Sequence, residues 1–134
     1  LSVTTQSMAL TRDYPAILDW VAGSGNASTQ IEIELNIANH GGTPAMVQCL
    51  SGDSGHFEIP VSLVNALLDL GFSGFPSVSL TRAASNTATT DYGCVDLRTQ
   101  STTVLTVDIE GLISCSDNTD CPDDQTCQAD LTCG

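Results

Sequence analysis

Four of the six cysteines fall in the last twenty residues, at Cys115, Cys121, Cys127 and Cys133, with five residues between each neighbouring pair. The segment they punctuate, CSDNTDCPDDQTCQADLTCG, has no apolar run from which to build a core. A stretch that cannot bury enough surface to offset its chain entropy stays ordered only if something covalent or metallic holds it. Disulfides answer that need and place the chain in an oxidising compartment, so the expected location is secreted or at the cell surface. Three pairings are open to four cysteines. Cys115–Cys127 with Cys121–Cys133 is favoured, because both closed loops then have comfortable length. Zinc ribbons bring their cysteines in close pairs, two to four residues apart, and the even spacing here departs from that pattern.

The remaining two cysteines, Cys49 and Cys94, each fall in a stretch that reads as a strand. In an oxidising setting they are expected to pair and tie two strands of the main domain, worth about 3–4 kcal/mol on a chain-entropy model. Two domains follow: a main body over residues 1–113 and a cysteine-rich module over 114–134.

The body is strand-forming. Ile31, Ile33, Leu35 and Ile37 alternate with Glu32, Glu34 and Asn36, a period of two that lays one face on a core and the other in water. Ala45 to Leu50 follows after His40-Gly41-Gly42 and is expected to hairpin back onto it. Residues 1–11 and 78–83 read as further strands, 16–21 as a short apolar stretch around Trp20, and 85–91 as a polar loop. Gly93–Thr99 and Thr103–Ile109 read as a last hairpin turning at Gln100-Ser101. One segment changes period: Leu63, Val64, Leu67, Leu68 and Leu70 recur at helical steps, after Pro60 and before Gly71. The fold class is therefore mainly β, an antiparallel β-sandwich of about seven short strands, with one helix over about 61–70 and a disulfide-rich tail.

Charge excludes whole classes of partner. Sixteen acidic residues face only Arg12, Arg82 and Arg98, with no lysine, for a net charge of −13. Phosphate backbones and anionic membranes are disfavoured, since lysine and arginine supply most of that affinity. No apolar run reaches the length of a membrane span, and neither a basic-then-apolar leader nor an initiating Met is present. A mature secreted product or a piece of a longer protein is expected. The 30 serines and threonines outnumber the 19 charged residues, giving a hydroxyl-rich surface.

Several residue sets suggest chemistry and have plainer explanations. Gly52-Asp53-Ser54-Gly55 matches a serine-protease nucleophile segment, but the only histidines are His40 and His56, and a turn accounts for the residues. Glu32 and Glu34 share one strand face, as expected of a solvated face rather than of a glycosidase pair converging across a cleft. Asp117, Asp120, Asp123 and Asp124 are calcium candidates by ligand type alone. Asn26-Ala27-Ser28 is an N-glycosylation sequon, and Trp20, Tyr14 and Tyr92 are candidates for a sugar-stacking platform. No catalytic set is complete and no cofactor is implied.

The tail, with its Asp-Cys-Pro, Gln-Thr-Cys and final Cys, resembles a small cysteine-rich repeat of bacterial surface lipoproteins, and its spacing is similar to that of Dickkopf-like cysteine modules. Trp20, IEIELNIANHGG, Cys49, Asp53, HFEIP and LVNALLDLG together are similar to a β-sandwich domain of secreted proteins of myxobacteria-like bacteria. The resemblance implies location and architecture, not chemistry. The function expected is a non-catalytic structural subunit or module of an extracellular assembly, with other surface proteins or copies of itself as partners. A sharper form has residues 1–11 completing a neighbour's sheet in a filament, against the plainer expectation that they pair within their own. The alternative is a module binding carbohydrate or calcium.

Overall fold

The alternating segment becomes the central strand. In the computed structural model, which describes residues 1–24, 29–38 and 45–134, β3 (Thr29–Asn36) lies between β4 (Met46–Gly52) and β6 (Ser77–Thr90). Both neighbours run antiparallel to it. Ile31, Ile33 and Leu35 are almost wholly buried, and so are Val78 and Leu80 opposite them on β6. On the other side of β6 lies β7 (Gly93–Ile109), whose Val107 and Ile109 continue the same face. The short β1 (Met8–Leu10) completes a curled five-stranded sheet in the order β1-β7-β6-β3-β4.

A second layer covers this face. β2 (Ala16–Asp19) and β5 (His56–Ile59) form a two-stranded antiparallel sheet with Leu18 opposite Phe57. Ala16, Leu18, Trp20 and Ile59 enter one core cluster with Ile31, Ile33 and Leu80. The helix α1 (Val61–Asp69) adds Val64 and Leu67. Its start has no side-chain cap, and Gly71 stops it at φ +90°, where its N–H donates to the Leu68 carbonyl at 3.1 Å. Leu63 and Leu70, counted with the apolar face from their spacing, remain exposed. The β-sandwich with one helix and a disulfide-bonded tail is thus as expected.

Three details differ from the sequence reading. First, β1 pairs with β7 in parallel, Met8 opposite Val107, so the sheet is not wholly antiparallel. Met8 and Leu10 are buried in their own core, which is the plainer of the two expectations for the N-terminal strand. Second, residues 85–91 are not a loop: β6 runs on to Thr90. Third, no turn occurs at Gln100-Ser101, because Gln100 pairs with Ala83 and Ser101 with Arg82 inside one continuous strand. The real hairpin turns at Asp91-Tyr92, where Thr90 faces Gly93. Gly93 takes φ +132°, a conformation that side chains disfavour. Polarity suggested a loop here, yet threonine is β-branched and suits a pleated ribbon whose two faces are both wet.

Candidate functional site

That extended hairpin is the most distinctive surface of the molecule. Among the described residues the β3–β6 ladder ends at Thr29–Ala84, while the β6–β7 ladder continues for six more pairs, Ser85–Arg98 to Thr90–Gly93. Residues 85–102 are all exposed, so the ribbon leaves the body as an arm. Its faces differ. Ala88, Val95 and Leu97 continue the core-facing parity of Val78 and Leu80 but stay exposed; Val95 is 46% and Leu97 60% exposed. The opposite face carries Thr87, Asp96, Arg98 and Cys94. Thr87 donates to Asp96 Oδ1 at 2.6 Å, and Arg98 lies 3.3 Å from Glu32 Oε1. Tyr92 stands fully exposed at the tip.

The root of the arm is clamped. Arg82 lies on the core face of β6, three positions before the arm begins, and its guanidinium meets Asp53 from the Gly52–Gly55 turn. Arg82 Nη2 donates to Asp53 Oδ1 at 2.9 Å and to the Val21 carbonyl at 2.6 Å, while Nε sits 2.8 Å from Oδ2 as a less aligned ion-pair contact. Trp20 Nε1 donates to Oδ1 at 2.8 Å and the Gly23 amide to Oδ2 at 3.0 Å. The Asp53 side chain is only 7% exposed. Burial pushes its carboxyl up, but the hydrogen bonds from Arg82, Trp20 and Gly23 and the Arg82 charge outweigh that and hold it below the usual range. A Cβ on Gly23 would fall 2.6 Å from Asp53 Oδ2, so any side chain there would have to displace the carboxylate from its hydrogen bonds. The Asp of the protease-like tetrapeptide is thus a structural anchor. Ser54 Oγ donates to the main-chain carbonyl of His56 at 2.8 Å rather than to an imidazole. The His56 ring instead contacts Asp19 at 2.7 Å in an exposed pair. His40 lies outside the described residues.

The tail matches its favoured pairing. Cys115 is bonded to Cys127 and Cys121 to Cys133. Cys115 is buried, its N–H donates to the Leu131 carbonyl at 3.0 Å, and the Cys133 N–H donates to Ile113 at 2.9 Å, stitching the module to the end of the body. The sulfurs of Cys115, Cys121 and Cys133 lie within 4.8 Å of one another, but with both bonds closed none is a thiolate ligand. The calcium candidates divide. Asp117 and Asp120 form a reciprocal capping box around the 3₁₀ turn Asn118–Asp120, with Asp120 also accepting from the Ser116 amide at 2.7 Å. The hydrogen bonds from Thr119 hold the Asp117 carboxyl below its ordinary range. Asp123 and Asp124 lie beyond that turn and take no part in its cap.

Cys49 and Cys94 do not pair; both are free. Cys49 projects from the core face of β4 opposite Ile33, whereas Cys94 projects from the outer face of the arm. Following the ladder, Cys49 is level with Ile33, Leu80 and Thr103, and Cys94 lies nine residues further along β7. That is roughly 30 Å along the strand, against the ~7 Å Cα separation a disulfide tolerates. Burial also pushes the Cys49 thiol up.

The other candidates scatter. Glu34 accepts from Gln48 at 2.9 Å and Glu32 pairs with Arg98, both on the solvated face. Trp20 is 4% exposed and its indole is engaged with Asp53, so no aromatic platform forms with Tyr14 and Tyr92. Asn26 lies outside the described residues. No described helix is long and apolar enough to cross a membrane. Comparison with protein-family models, curated proteins and solved structures found no match.

Proposed function

We propose that this protein is a non-catalytic extracellular module that builds an assembly through protein contacts. The observation that carries this reading is the arm: a two-stranded ribbon, exposed on both faces, held out from a well-packed body. Such a ribbon adds no buried side chain to the core, and open strand edges are a ready surface for pairing with another chain. The disulfide-stapled tail and the hydroxyl-rich surface suit an oxidising exterior. The arm supports assembly better than the N-terminal strand does, since Met8 and Leu10 already fill the chain's own core.

The test is fractionation of the native source with antibody to the chain. The expected result is an extracellular, oxidised protein migrating in a large complex, and a variant with residues 86–97 replaced by Asn-Gly that leaves the complex while remaining folded. A free monomer in a reducing fraction overturns the reading.

A further inference from the structure

We infer that β7 pairs with β7 of a second copy of this chain, antiparallel about a two-fold axis through Leu97. This deepens the assembly reading, on which it rests, by naming the partner of the arm.

The first observation is an uncovered edge. β7 runs from Gly93 to Ile109, yet on the side away from β6 its paired residues among those described are Val107, Ala9's partner Asp108, and Ile109. Natural edges of such length are blunted by proline, lysine, bulges or a covering segment. Between Gly93 and Gln100 β7 has no proline and no lysine, and its charges there are Asp96 and Arg98. The chain's own N-terminus approaches only further along, where the Leu1 amino group donates to Ser101 Oγ at 2.7 Å.

The second observation is charge complementarity in a single register. Two identical strands pair antiparallel about an axis perpendicular to the sheet, and the residue on that axis faces its own copy. An axis through Asp96 sets two carboxylates opposite each other, and one through Arg98 sets two guanidinium groups so. An axis through Leu97 places each Asp96 opposite the other copy's Arg98, twice. It also puts Leu97 beside Leu97 and Val95 beside Thr99 on the apolar face, the cross-strand pairs that stabilise a sheet. One apolar strip and two ion pairs therefore follow from the same axis. The Arg98 side chain keeps Glu32 on its flank, at 3.3 Å, within the same chain.

A second copy is the occupant these residues fit because the complement of the edge is the edge itself. The net charge of −13 opposes association at low ionic strength, so pairing strengthens as salt rises to about 0.15 M, where screening lengths fall to ~8 Å.

Sedimentation equilibrium of the full chain at 0.15 M salt tests this. All variants carry Glu32→Gln, so that a new aspartate at 98 meets no like charge. The expected results are a reversible dimer for Glu32→Gln alone, at least about tenfold weaker dimerisation with Asp96→Arg or with Arg98→Asp, and recovery in the double exchange Asp96→Arg/Arg98→Asp. Amide exchange should slow with concentration over residues 94–100 and not elsewhere in the arm. A chain that stays monomeric, or a dimer indifferent to both single substitutions, overturns the pairing, as does a folded double exchange that fails to recover. If the native complex still holds the Asp96→Arg variant but loses the arm-shortened one, self-pairing is wrong and the assembly reading stands.

Discussion

Residues 85–98 and residues 114–134 both leave the sandwich without an interior of their own, and both are rich in Asp and Thr. The tail is held by two crosslinks across loops of twelve residues and by a capped turn. The arm has no crosslink; its order comes from six ladder pairs continuing a sheet that is already nucleated in the core. A hydrophilic stretch that prolongs two paired strands needs only local hydrogen bonds and β-branched side chains. One that starts afresh past the last strand needs covalent closure. The disulfides sit where the ladder cannot reach.

The largest expected effect separates both extensions from the body. Asp53→Asn strips the buried carboxylate from the half-buried Arg82 at the arm's root and should lower unfolding stability by about 3 kcal/mol, read as a shift in the urea midpoint. The tail should keep its disulfide-dependent protection in that variant. Because the folded carboxyl lies below its ordinary range, its contribution is complete above the unfolded pKa near 4 and drains away as pH falls further. The gap between native chain and variant should therefore narrow below about pH 4.

Next is the tail alone. Replacing Cys121 and Cys133 together by Ser should cost about 3 kcal/mol of local order for a loop of this size. Limited proteolysis should then cut within residues 116–130 and leave the arm intact. Thiol labelling sharpens the contrast further. In the native protein Cys94 should alkylate at once and the half-buried Cys49 slowly, with the four tail cysteines inert until reduced. The smallest effect is at the arm: substituting Asn-Gly for residues 86–97 should change stability by no more than about 0.5 kcal/mol, since the removed side chains are exposed.

How much of this was legible varies with what each residue pattern encodes. The alternation over Ile31 to Ile37 and the helical steps over 63–70 are one-dimensional signals, and both elements stand. The tail pairing followed from loop length alone. The arm did not follow, because polarity on both faces looks the same for a loop and for a ribbon in water. Cys49–Cys94 failed because strand membership says nothing of face or of distance along a ladder. The Asp53 anchor left one usable trace. Arg82 shares parity with Val78 and Leu80, and a guanidinium on a core face demands a buried acidic partner. The turn carrying Asp53 is legible in Gly52-Asp53-Ser54-Gly55, but nothing in the spacing says that it folds inward onto Arg82.

Amide hydrogen exchange with and without a disulfide reductant tests the division between the two extensions most directly. With reductant, protection at Cys115, Gln128 and Cys133 should vanish while the ladder amides of 85–98 exchange at unchanged rates. Loss of protection in both regions, or in neither, contradicts it.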